Sequence, residues 1–99
     1  MIGDSYEFEA VLFEWDARRE KWVFAPLPAD VSAEIRDQPR PPAGFESVRV
    51  EVRIGDSLWK TSIFPNSSGL YVVPIKKAIR QKYGIDTGDT VTIGVTLLV

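Results

Sequence analysis

The chain contains no cysteine and no histidine in its 99 residues. Without cysteine there is no disulfide framework and no thiolate chemistry. Without histidine the chain lacks the commonest general base, the usual zinc ligands, and the Ser-His-Asp and Cys-His mechanisms. Catalysis would have to run on carboxylates, Lys, Tyr, Ser or backbone groups, and the sequence assigns no catalytic residue, metal ligand or cofactor. No apolar run approaches the length of a membrane span. Met1 to Ser5 has no basic residue and no long apolar stretch, so no signal peptide is expected. The expectation is a cytoplasmic protein without a membrane partner.

What the chain does have is an ordinary core-forming composition. A hydrophobic content of 44% with 11% aromatics fits one folded domain over residues 1–99 rather than a disordered tail. A chain of this size buries one core and has little surplus stability. Its net charge of −2 is unevenly spread. Ser57 to Ile85 contains Lys60, Lys76, Lys77, Arg80 and Lys82 and no acid, a local +5 that leaves −7 for the remainder. Such asymmetry marks a surface that can meet an anion, although solvated lysines also produce it.

Periodicity predicts about six short strands and two short helices. Tyr6 to Trp15 alternates and then turns apolar on both sides; Asp16 to Glu20 is a charged turn, and Lys21 to Leu27 returns as the second arm of a hairpin. Pro28 suits the first turn of a helix carrying Val31 and Ile35 on one face. Asp37 to Gly44, with Pro39, Pro41 and Pro42, is a stiff loop. Ser47 to Ile54 alternates strictly, with Val48, Val50, Val52 and Ile54 on one side and Arg49, Glu51 and Arg53 on the other. Gly55-Asp56 turns the chain into Ser57 to Phe64. A turn cluster from Pro65 to Gly69 leads to a strand, Leu70 to Val73. A helix from Ile75 to Tyr83 then stops at Gly84, and Gly88-Asp89 turns into a strand, Thr90 to Leu97.

Two segments echo one another. Leu27-Pro28-Ala29-Asp30-Val31-Ser32 aligns with Ile75-Lys76-Lys77-Ala78-Ile79-Arg80, which sets Val31 against Ile79 and Ile35 against Tyr83. Each segment follows a strand, opens a helix and leads to a valine-rich strand. Neither half can bury its own face, so pairing them would form one core. The expected fold is therefore mainly β with two short helices: a double-split-type barrel with a pseudo-two-fold inside one chain. Short strands in such a barrel hide their edges.

Ile75 to Val91, with Gly84-Ile85, Gly88-Asp89 and the following strand, is similar to the swapped-hairpin motif of AbrB-type regulators and antitoxins. Tyr83 here replaces a usual Leu, and Lys76 stands where Pro is usual. Over nearly its full length the chain resembles the small bacterial family called domain of unknown function 1905. The residues that carry the likeness are Phe8-Glu9-Ala10, Trp22-Val23-Phe24 with Leu27-Pro28, Ser47 to Val50, Trp59 to Pro65, Gly69 to Arg80, and Gly88-Asp89. The resemblance implies the double-split barrel and no particular activity. In some members the domain precedes a bacteriocin-protection domain, which is not expected here.

The candidate sites follow from charge and chemistry. Lys76 and Lys77 open the second helix against its dipole. With Lys60, Thr61 and Ser62 they form a candidate pocket for phosphate or carboxylate; the competing reading is solvated lysines and locally bonded hydroxyls. Arg49, Arg53 and Arg80 are candidate surface cations. For Arg49 and Arg53, Glu51 between them favours a cross-strand ion-pair ladder over a nucleic-acid stripe. Trp15, Trp22, Phe24, Trp59, Phe64 and Tyr71 are expected to fill the barrel rather than line a cavity. Glu7, Glu9, Glu14 and Asp16 read as solvated, and Pro39-Arg40-Pro41-Pro42 reads as a connector. Three function classes stay open: a monomeric, non-catalytic module binding an anionic small molecule or a protein; an AbrB-like DNA-binding regulator, which the net charge disfavours; and a His/Cys-independent enzyme on an anionic small molecule.

Overall fold

A computed structural model of the chain describes residues 2–15, 22–37 and 47–98, with side chains from Asp4 onward. The charged turn at Asp16–Glu20 and the Pro39–Pro42 segment lie outside these residues. The elements are β1 (Ile2–Val11), β2 (Phe13–Trp15), β3 (Trp22–Pro26), α1 (Ala29–Asp37), β4 (Val48–Ile54), β5 (Ser57–Pro65), β6 (Tyr71–Pro74), α2 (Lys77–Tyr83) and β7 (Thr90–Leu98). All seven strands join one antiparallel sheet in the order β1-β7-β4-β5-β6-β3-β2.

That order explains the shape. β1 and β2 are separated in the chain only by Leu12, yet they occupy opposite edges of the sheet. The sheet must therefore curl until its edges approach. The expected six strands become seven because one extended run changes partner: β1 pairs with β7, and β2 pairs with β3. Leu12 itself is not left unpaired. Its N–H donates to Asp89 O at 2.9 Å and its carbonyl accepts from Gly88 N at 2.8 Å. β5 behaves the same way. Ser57 to Ile63 pairs with β4, then Phe64 and Pro65 pair with β6.

These two crossing strands are the mates of an internal two-fold. β3-α1-β4 and β6-α2-β7 repeat, with β3 antiparallel to β6 and β4 antiparallel to β7. Ala25 sits opposite Val73, and the interval between them equals that between Val31 and Ile79. A pair of equivalent residues facing each other marks where the axis crosses the sheet. The flanking hydrogen bonds agree, since Leu27 N donates to Tyr71 O and Ile75 N donates to Val23 O, each at 2.8 Å. The two helices begin at equivalent positions, Ala29 and Lys77.

The core lies inside the curl. Val48, Val50, Val52 and Ile54 are buried while Arg49 and Arg53 are exposed, as strict alternation requires. Ile63 faces Val48 across the ladder, and Ile93, Val95 and Leu97 fill in from β7. Each such side chain contributes about 1.5–3 kcal/mol through removal from water. Each helix adds one fully or nearly fully buried isoleucine, Ile35 from α1 and Ile79 from α2. Gly84 ends α2 in the left-handed conformation, φ +62°, which glycine adopts without the Cβ penalty.

The aromatic residues divide. Tyr71 is in the core and Trp59 packs against it, as expected. Trp15 and Trp22 are instead 59% and 48% exposed, contrary to the expectation that they fill the barrel. They lie on the outer face around Phe24, which is buried outside the main core and also meets Phe13 and Phe64. The run Trp22-Val23-Phe24-Ala25 is apolar on both faces because Val23 and Ala25 serve the interior and Phe24 serves this second cluster.

Candidate functional site

β5 stays beside β6 for only two residue pairs, Phe64↔Val72 and Pro65↔Tyr71. Toward its N-terminal end β5 follows β4 instead, and the gap it leaves opens between β5 and the β6–α2 connection. A groove of about 1090 Å³ occupies the gap. Trp59 and Thr61 belong to the inward row of β5, opposite Val52 and Val50. Lys60 belongs to the outward row opposite Glu51 and reaches the rim. Lys76, Lys77 and Arg80 line the α2 side, and Trp22 of β3 closes one end.

The groove is a concentration of unneutralised cations. Among the described residues, Lys60, Lys76, Lys77 and Arg80 line it against one acid, Asp86. Among the described residues, the side chains of Lys60, Lys77 and Arg80 have no ion-pair or hydrogen-bond partner. Arg80 is the most notable: its Nε is buried and has no acceptor. A buried donor without a partner costs about 1–3 kcal/mol. The Lys76 ammonium stands 5.6 Å from the Trp59 ring centroid, where the ring's negative face holds it without cancelling its charge.

The α2 wall is pinned at its far end. Tyr83 Oη donates to Asp56 Oδ1 at 2.6 Å and lies 2.8 Å from Ser57 Oγ. Lys82 Nζ reaches Ser57 Oγ at 3.0 Å and Asp56 Oδ1 at 3.3 Å. The Tyr83 hydroxyl and the Lys82 ammonium together hold the Asp56 carboxyl below its ordinary range, and Asp56 in turn holds the Lys82 ammonium above its own. Tyr83 thus has a physical reason to stand where the swapped-hairpin motif has leucine: it ties the helix to the β4–β5 turn.

The residues picked out from the sequence separate into two groups. Lys60, Thr61, Lys76 and Lys77 meet at the groove, and Arg80, grouped with the surface cations in the sequence, joins them partly buried. Ser62 does not join them. It faces the opposite side of β5 and accepts a hydrogen bond from Arg49 Nη1 at 3.3 Å. Arg53 reaches Glu7 of β1 at 3.4 Å across Gly94, which offers no side chain to block it. Arg49 and Arg53 therefore lie on the outer face in cross-strand contacts. Glu7, Glu9 and Glu14 are exposed. The helix-start argument loses its basis: α2 has only seven residues, and Lys76, its N-cap, makes no side-chain cap. So short a helix adds little dipole, and the positive character of the groove comes from side chains. Trp22 and Trp59 were missed as groove residues because an aromatic in a strand looks the same whether it packs or lines.

The two-fold supplies an internal comparison. The counterparts of Lys76, Lys77 and Arg80 are Pro28, Ala29 and Ser32. Phe13 opposite Phe24 matches Phe64 opposite Val72, which makes Glu9 the counterpart of Lys60 and Phe8 that of Trp59. In that half Phe8 is buried, and Ser32 is fully buried with its hydroxyl accepting from Tyr71 N at 3.0 Å. The four positions that carry groove cations carry none in the other half, where the counterpart of the groove-lining Gly84 is Arg36, whose guanidinium donates to Gly69 O.

A family model described as Domain of unknown function (DUF1905) matches residues 8–95, most of the chain, and the chain belongs to that family. No curated protein matches it. No helix among the described residues is long and apolar enough to cross a membrane, and those residues contain no cluster of three or more acids that could hold a metal ion.

Proposed function

We propose that this member of the DUF1905 family is a non-catalytic binding domain whose β5–α2 groove takes an anionic ligand. The observation that carries the reading is the contrast between the two halves. Cations that a scaffold needs should recur at equivalent positions, and here Lys60, Lys76, Lys77 and Arg80 stand against Glu9, Pro28, Ala29 and Ser32. Their unpaired state and the buried Arg80 Nε add to it.

A duplex-DNA reading has less support. Its phosphates need cations spread over a projecting surface, and these are gathered in a groove on a chain of net charge −2. An enzyme reading has Lys, Thr61 and Asp86 at the groove but no paired base and nucleophile. The chain is read as a monomer, since both halves of the two-fold are present in one polypeptide. Light scattering that gives an obligate strand-exchanged dimer overturns the monomer.

The binding test is calorimetry with pyrophosphate on the wild type and on Lys77→Gln/Arg80→Gln. The wild type should bind. The double variant should lose at least about tenfold in affinity, given about 1.5–3 kcal/mol for a charge-assisted hydrogen bond, and should melt at or above the wild-type temperature, since the buried Nε without an acceptor goes with Arg80. Equal binding by both proteins, or unfolding of the variant, overturns the reading.

A further inference from the structure

Resting on that anion-binding reading, we propose that the ligand is a nucleoside phosphate. Its planar base would lie on the tryptophan side of the groove and its phosphates beside Lys77 and Arg80.

The groove leaves room for more than a bare anion. A groove of about 1090 Å³ is slightly larger than the pockets that bury drug-sized ligands, about 300–1,000 Å³. A lone phosphate fills a small part of it. Much of the remaining lining is aromatic and apolar, Trp22 and Trp59 with Val23, Pro74 and Ile75, alongside the polar Thr61 and Gln81.

The tryptophans have the character of a platform. Trp22 is 48% exposed, but its indole is stacked on the buried Phe24 ring, with centroids 6.2 Å apart and planes 13° apart. An exposed indole backed in this way is held flat with little rotamer freedom to lose on binding. Trp59 is seated against the core and carries the Lys76 ammonium near its ring, which places a positive charge beside an aromatic surface. The internal two-fold again separates need from use. Trp22 corresponds to Leu70 and Trp59 to the buried Phe8, so the other half lacks the platform, and its one cation at an equivalent lining position, Arg36, is engaged by Gly69 O.

The charge count selects phosphate over a monocarboxylate. Among the described residues, four cations face one acid in the groove. That excess suits a ligand with two or more negative charges, and the planar guanidinium of Arg80 suits phosphate oxygens. A flat ring joined to such a group is the chemistry of a nucleotide.

Four probes are titrated by calorimetry and by tryptophan fluorescence: a purine nucleoside diphosphate, the matching nucleoside, pyrophosphate and benzoate. The proteins are the wild type, Trp22→Leu, Trp22→Phe and Arg80→Gln. Stacking of one base on one aromatic ring is worth about tenfold to a hundredfold in affinity. The diphosphate should therefore bind at least about tenfold more tightly than pyrophosphate and quench fluorescence. Trp22→Leu should erase that margin and leave pyrophosphate affinity unchanged, and Trp22→Phe should keep most of it. Arg80→Gln should weaken both phosphates together. If pyrophosphate and the diphosphate bind equally, or if benzoate binds best, the nucleotide assignment falls and anion binding stands. If no anion binds, both readings fall.

Discussion

Replacing Gly55 by alanine tests how α2 is held over the groove. Gly55 has φ +58°, and a Cβ placed there would lie 2.8 Å from Tyr83 Cε1 and 2.9 Å from its Oη. Two costs arise. An alanine in the left-handed region costs about 1–2 kcal/mol. Forcing the extra carbon against a seated ring costs about 1–3 kcal/mol more. The ring cannot step aside freely, because Ser57 and Asp56 hold its hydroxyl. The expected loss is about 3 kcal/mol, a large part of the margin of a domain this small. The second cost belongs to Tyr83 alone. In a Tyr83→Leu background the same Gly55→Ala change should cost only the backbone part, about 1–2 kcal/mol. Equilibrium urea unfolding of the four proteins in this cycle measures the difference. Equal losses in the two backgrounds would refute the claim that the turn and the helix end are in steric register.

Further outcomes follow from other parts of the structure. Ser32→Ala should destabilise by about 1–3 kcal/mol, because the buried Tyr71 N–H loses its acceptor; thermal melting checks it. Asp56→Asn should reveal a pH signature. The lowered Asp56 carboxyl contributes stability above its unfolded value of about 3.8, and the contribution disappears as pH falls through its folded value. The raised Lys82 contributes below about 10.5 and loses that contribution as pH rises further. The wild-type advantage should therefore be level from about pH 5 to 9 and vanish in acid, as a series of urea melts would show. Arg53→Ala should change stability by no more than about 0.5 kcal/mol, since its pairing with Glu7 is exposed on both sides. Ile93→Ala, at a position with no solvent exposure, should cost about 2–5 kcal/mol in the same assay.

Legibility in the sequence followed the range of the interaction. The alternation from Val48 to Ile54, the stop at Gly84 and the turn at Gly55 rest on neighbouring residues and were readable. So was the two-fold, because Val31 and Ile79 repeat an anchoring role that each helix needs. The break at Leu12 was not readable. Its cause is that residues on either side pair with β7 and β3, and nothing local distinguishes a strand that keeps its partner from one that changes it. Trp22 was misplaced for a related reason: where both strand faces are apolar, period-two alternation carries no information about which face is inside. At the groove, Lys60, Thr61, Lys76 and Lys77 were found through their charge and chemistry. Ser62, adjacent to Thr61 in sequence, lies away from the groove because consecutive strand residues face opposite ways.

Carrying both halves of the two-fold on one chain changes what a single substitution can do. In a symmetric dimer of half-length chains, every residue is written twice. A lysine placed at one corner appears at its mate, and like charges accumulate in step. A Pro that opens one helix must open the other as well. With the halves joined, each corner is written separately. One can be closed with a buried serine hydroxyl and an alanine, holding the sheet together, while the other carries exposed aromatic surface and unpaired charge at a cost in stability. The quiet half supports the one that carries the groove, a division of labour that a symmetric homodimer of half-length chains does not have.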